Sequence, residues 1–230
     1  MQNMEDHHQD TLRHKPIRDL SIKIPLEKVT LEGRLTVPER AKGIVIFAHG
    51  SGSSRFSSRN WYVAEILHDQ NIATLLTDLL TIEEEQIDLQ TRHIRFDIPL
   101  LAERLVQIAD WAEQDSRTNH LKIGYFGSST GGGAALIAAA QAPDNIATVV
   151  SRGGRPDLAG DFLPQVKAPA LLIVGERDQE VLALNREALE RLNEKSKLHI
   201  IPGATHLFEE PGTLKIAADS AMKWFKLYLE

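Results

Sequence analysis

Apolar and polar positions along the chain fall into two kinds of stretch. Ser21–Leu26 and Val29–Pro38 alternate apolar with polar residues, the period-two signature of strands with one face exposed, and predict an antiparallel pair at one edge of a sheet. Between these and a last strand at Leu198–Ile201, nearly continuous apolar runs fall at Gly43–Ala48, Ile72–Asp78, Leu121–Phe126, Ile146–Ser151 and Ala170–Gly175. Such short runs predict strands covered on both faces. Helical spacing fills the intervals: Trp61, Ala64, Leu67 and His68; Ile98, Leu101, Leu105, Ile108 and Ala112; Val181, Leu184, Ala188 and Leu192; Leu214, Ala217, Ala221, Trp224 and Tyr228. Asp97-Ile98-Pro99 marks a helix start, an acid at the cap and Pro in the first turn. Thr81–Arg95 reads as a charged connection. Buried strands alternating with amphipathic helices predict an α/β fold, a mostly parallel sheet of about seven to eight strands with helices on both faces.

The organising stretch is Ile123–Gly133, where a buried strand breaks into Gly127-Ser128-Ser129-Thr130-Gly131 and an Ala-rich helical segment, Ala134–Ala140, follows. Strand, tight turn and helix are the context in which G-x-S-x-G forms a nucleophile elbow. The strained serine of such a turn needs small residues two before and two after it. Ser129 has Gly127 and Gly131 at those places, whereas Ser128 has Phe126 and Thr130. Ser129 is therefore the candidate nucleophile. The Thr130 N–H and the positive end of the following helix point to where an oxyanion would form. A phosphate loop would need G-x-x-x-x-G-K-[ST] or G-x-G-x-x-G, and neither spacing is present.

Composition narrows the class. A chain of 230 residues with 42% hydrophobic and 25% charged residues suits one globular domain, read as residues 17–230 behind a polar tail, 1–16. His7, His8 and His14 in that tail have nothing nearby to fix a ligand geometry, so no metal is expected. The net charge of −6 argues against a nucleic-acid surface. No apolar run has the length of a membrane span, and no signal-peptide core follows a basic start. The absence of Cys removes disulfides, thiolate metal sites and a cysteine nucleophile, and makes the cytoplasm the expected compartment.

A serine nucleophile needs a base and an acid. Functional groups of a parallel sheet gather at the carboxyl ends of its strands, where His49–Arg55, Ser128–Gly131, Glu176–Asp178 and Gly203–His206 all fall. The order Ser129, Asp178, His206 matches the nucleophile–acid–base order of α/β-hydrolases. His206 would take the Ser129 proton and Asp178 would orient the imidazole. A second oxyanion N–H would come from the loop after Gly50, at Ser51. Alternatives stay open: His206 as a surface loop residue, Asp178 as a helix cap, Asp157 or Glu176 as the acid. His49 reads as loop-shaping, and His120 and His199 as structural.

The His49–Ser54 loop, the Gly127–Gly132 elbow, Gly175-Glu176-Arg177-Asp178 and Gly203–Gly212 together resemble the α/β-hydrolase superfamily, and within it the dienelactone-hydrolase-like branch, over about Ile22–Leu229. Ser151–Gly160 and Gly203–Pro211 are similar to segments of the hydrolase domain often fused to phosphoribosyltransferases; within these 230 residues no such portion is expected beside it. Dienelactone hydrolases proper use a cysteine nucleophile, and this chain has Ser129. The resemblance thus implies a cofactor-free serine hydrolase acting on a small-molecule carboxylic ester, thioester or lactone. A non-catalytic binding module on the same fold is the alternative. Only Arg152–Ala168 separates the strand ending at Ser151 from the next, too little for a large helical cap. Arg55, Arg152 and Arg155 near the site are candidates for contact with an anionic substrate group, or surface arginines paired to Asp157 or Asp161.

Overall fold

A computed structural model describes residues 18–230, so the polar tail and its histidines lie outside the described residues. Eight strands, β1 (Arg18–Pro25), β2 (Thr30–Val37), β3 (Gly43–Ala48), β4 (Ala73–Thr77), β5 (Lys122–Ser128), β6 (Ile146–Arg152), β7 (Ala170–Gly175) and β8 (Lys197–Ile201), form one sheet in the order β1-β2-β4-β3-β5-β6-β7-β8. The β1–β2 and β2–β4 pairs are antiparallel and every later pair is parallel. The alternating stretches thus make one edge and the continuous apolar runs the interior, as expected for strands covered on one face or on both, while β8, half-buried over Leu198–Ile200, closes the other edge.

Among the described residues six α-helices cover the sheet: α1 (Ser58–Asp69), α2 (Ile82–Thr91), α3 (Ile98–Gln114), α4 (Thr130–Gln141), α5 (Gln179–Arg191) and α6 (Thr213–Leu229). Two apolar layers result. On one side Leu101, Leu105 and Ile108 of α3 and Ala134–Ala139 of α4 pack with Ile44, Ile46 and Tyr125. On the other, Val63, Ala64 and Leu67 of α1 and Ala217, Ala221 and Phe225 of α6 pack with Val45, Phe47 and Phe126. Successive strand residues face opposite layers, so each buried strand supplies both.

The predicted start of α3 holds, with the Asp97 carboxylate accepting from the Leu100 N–H at 3.2 Å. The connection expected over Thr81–Arg95 is instead largely helical. Thr81 and Glu84 form a reciprocal capping box, with Glu84 N–H to Thr81 Oγ1 at 3.2 Å and Thr81 N–H to Glu84 Oε2 at 2.9 Å. A local cap thus nucleates a helix that has almost no apolar face; Asp88 is its one buried residue. Glu84 also receives the Arg104 guanidinium at 2.6 and 2.7 Å, which pins α2 to α3. Between β6 and β7 the chain makes a short 3₁₀ segment, Pro156–Gln165, kinked at Gly160, and no large cap.

Candidate active site

β5 ends at Ser128 and α4 starts at Thr130, which leaves Ser129 alone to turn the chain. It does so with φ 50° and ψ −123°, a conformation that costs a non-glycine residue about 1–3 kcal/mol. The neighbours show why glycine flanks it. A Cβ on Gly127 would lie 2.5 Å from Gly131 O and from Gly132 Cα, and one on Gly131 would collide with the carbonyl oxygens of Ala48 and His49. The turn is tied down from the next strand: the Ser129 N–H donates to Arg152 O at 3.3 Å, and the Arg155 N–H donates to Ser129 O at 3.0 Å. Ser129 is half-buried, unlike Ser128 and Thr130 on either side of it.

Thr130 begins α4, so its N–H has no preceding helical carbonyl to bond. Its hydroxyl accepts the Ser51 N–H at 2.9 Å. The two backbone segments predicted to supply oxyanion donors therefore meet here, with the Ser51 N–H turned onto Thr130. His49 shapes this loop, as expected. Its Nε2 accepts the Leu79 N–H at 3.1 Å, which leaves Nδ1–H to donate to Gly50 O at 3.0 Å. Burial lowers the imidazole pKa, which favours this neutral form.

Asp178 and His206 come together. Asp178 occupies the cap position of α5, yet its carboxylate makes no cap bond; it accepts His206 Nδ1–H at 2.6 Å. The rival acids are engaged elsewhere: Asp157 with Arg155 at 2.7 and 2.8 Å, and Glu176 with the Gly203 N–H at 2.8 Å. The turn carrying His206 is closed by Glu210, which accepts the Thr205 N–H at 3.0 Å. Phe208 in this turn has φ 55° and is only 2% exposed. Among the described residues His206 Nε2 has no hydrogen-bond partner, Ser129 included. Ser129 and His206 border the same segment: Arg152 O accepts the Ser129 N–H, and a Cβ on Gly153 would touch His206 Cε1 and Nδ1 at 3.6 Å.

The three candidate arginines differ. Arg55 pairs with both Asp78 and Glu32 and stacks on Phe56 at 4.4 Å. It lines a cavity of about 480 Å³ with Leu80 and Ile82 that neither Ser129 nor His206 borders. Arg155 forms a two-pronged pair with Asp157, the pairing foreseen as its alternative. Arg152 is 8% exposed and reaches only Asn60 Oδ1, at 3.4 Å. Burial, with Arg59 nearby, pulls its pKa down to about 10, so it is still a cation at neutral pH. Two further participants escaped the sequence reading, Phe208 and Glu210. The only hint was a bulky residue and an acid after His206, which tertiary contact alone makes meaningful.

The sequence profile of the dienelactone hydrolase family matches residues 31–228. The chain is 55% identical over 216 residues to proteins of Mycobacterium tuberculosis whose names call them phosphoribosyl transferases; the match covers 94% of this chain and 48% of theirs. The chain thus spans about half the length of these curated relatives. Among solved structures, a dienelactone hydrolase from Anabaena variabilis is 58% identical with a TM-score of 0.92, over 93% of this chain and 99% of that one. Est1E from Butyrivibrio proteoclasticus shares the fold at 19% identity and a TM-score of 0.74, over 90% and 97%. No helix among the described residues is long and apolar enough to cross a membrane.

Proposed function

The chain belongs to the dienelactone hydrolase family, and from that premise we propose that it is a carboxylic ester hydrolase working through a Ser129-His206-Asp178 triad and an acyl-enzyme. The observation that carries this reading is the Asp178–His206 hydrogen bond of 2.6 Å beside a strained serine elbow. Asp178 fixes Nδ1 as the protonated nitrogen, which leaves Nε2 with a free lone pair to take a proton.

In the first half-reaction His206 Nε2 accepts the Ser129 hydroxyl proton as Oγ attacks the ester carbonyl. The negative charge that develops on the carbonyl oxygen meets the Thr130 N–H and the N-terminal end of α4. The Ser51 N–H adds a second donor by turning from the Thr130 hydroxyl. Collapse of the adduct transfers the His206 proton to the leaving oxygen, and water repeats the sequence on the acyl-enzyme. An unformed Ser–His bond in the free enzyme is compatible with this course, since such bonds tighten when substrate binds. The short Pro156–Gln165 segment leaves the elbow uncapped, which favours small soluble esters, thioesters or lactones over interfacial lipid. No metal or organic cofactor enters the scheme. The proposed compartment is the cytoplasm, and residues 17–230 the proposed single domain.

A fluorophosphonate probe on purified protein tests the assignment. Wild type should label and hydrolyse a small ester. Ser129→Ala should lose labelling and, as for a triad nucleophile elsewhere, on the order of 10⁶ in kcat. Labelling that persists in the variant rejects Ser129.

A further inference from the structure

Arg152 is the last residue of β6, and its side chain follows Val150 into the layer beneath α1 and α6. There the guanidinium carbon lies 5.9 Å from the Phe126 ring centroid and 5.7 Å from that of Phe208. Among the described residues its Nε and Nη1 are buried with no hydrogen-bond partner, and Nη2 has only the long contact to Asn60. Among the described residues no carboxylate pairs with it. A buried, unpaired cation is disfavoured against a hydrocarbon of equal size, so packing alone does not explain an arginine here. Direct contact with substrate does not explain it either, because the two unpartnered nitrogens are buried.

What Arg152 does touch is the rest of the site. Its carbonyl accepts the Ser129 N–H. Its neighbour Gly153, at φ 52°, backs the His206 ring. Its guanidinium lies against Phe208, two residues beyond His206 and itself in the left-handed region. A bulky residue holds that conformation only when its surroundings impose it. A cation on the face of the ring supplies a directional hold that an aliphatic side chain lacks.

We infer that Arg152 is a positioning residue, whose guanidinium clamps Phe208 and thereby holds the His206 turn in register with the serine that the same residue's carbonyl secures. The inference rests on the triad reading for its effect on rate, but its effect on the turn stands apart from it.

The test compares wild type, Arg152→Met, Phe208→Leu and the double variant. The readouts are p-nitrophenyl acetate kinetics, thermal stability and amide hydrogen exchange over residues 204–210. Arg152→Met, unbranched and uncharged, should keep its melting temperature and lose about tenfold in kcat, with KM within about twofold, as the loss of one cation–π contact implies. Exchange across 204–210 should quicken. Phe208→Leu should reproduce the rate loss, and the double variant should lose no more than either single one. Full kcat with unchanged exchange in Arg152→Met overturns the inference. So do additive losses, and so does a KM rise confined to anionic esters. Should wild type neither label nor hydrolyse, the hydrolase reading fails, while the exchange comparison still decides whether Arg152 holds the turn.

Discussion

The Asp178 carboxylate stands at the cap of α5 and turns away from it, accepting His206 Nδ1–H at 2.6 Å. An aspartate just before a helix is ordinarily read as a cap, because its oxygen satisfies an otherwise unpaired N–H. Here that bond is forgone for a histidine 28 positions away. A side chain that gives up a local stabilising contact for a distant imidazole serves the imidazole.

Asp178→Asn separates the two roles. An amide would present the wrong hydrogen-bonding partner to Nδ1, and kcat should fall by up to on the order of 10⁴, the loss seen for the matching change in another triad. Stability should change little, since α5 loses no cap bond. Measuring ester turnover and the urea midpoint on the same preparation checks both. A large drop in midpoint with kcat preserved would assign Asp178 to the helix.

Gly131→Ala tests the elbow itself. The added methyl would meet the carbonyl oxygens of Ala48 and His49, which are backbone atoms of a central strand end and cannot step aside. The expected loss is on the order of 3 kcal/mol, the upper range for overpacking. Gly160→Ala is the contrast, having φ 48° but no atom within 4 Å of the new methyl, and should cost about 1 kcal/mol from backbone strain alone. Chemical denaturation ranks the two; equal costs would show that crowding at the elbow is not what requires glycine.

Arg155→Ala addresses substrate charge. Because Arg155 already meets Asp157 through two hydrogen bonds, a substrate carboxylate would have to displace an internal one. The ratio of kcat/KM for a neutral ester to that for its anionic counterpart should therefore stay within about twofold of wild type, the residue of a rim charge already balanced. A loss confined to the anionic ester would show that the guanidinium leaves Asp157 for the substrate.

His68 gives a pH signature unconnected with catalysis. Its Nε2 lies 2.7 Å from Thr74 Oγ1, and burial, only partly opposed by Asp19 and Asp69, lowers its pKa from 6.5 to about 4. Between those values the unfolded chain binds a proton that the folded one refuses. Stability should thus be complete above pH 6.5 and decline as pH falls toward 4. His68→Gln should flatten that part of a urea midpoint against pH profile. An unchanged slope would place the titration elsewhere.

Much of the fold was legible because one physical quantity, burial, writes itself into residue order. Alternation at Ser21–Leu26 and continuous runs at Gly43–Ala48 and Ala170–Gly175 separate that edge from the interior in the sequence itself. The Ser129 turn was legible for a related reason, since steric crowding admits only glycine at 127 and 131. Helix α2 was not, because its stability comes from Thr81, Glu84 and Arg104 and not from an apolar stripe.

The sequence by itself determined which strands are interior, where the chain turns sharply at Ser129, and that a carboxylate and an imidazole follow it in the order a hydrolase needs. Only the tertiary structure decided that Asp178 serves His206 rather than α5, that Arg55 and Arg155 face internal acids, and that Arg152 lies sealed against Phe208. Local pattern records whether a residue is buried and how its backbone must bend. It does not record which of several equivalent charges a side chain meets, because that is fixed by strands and loops brought together from positions far apart in the chain.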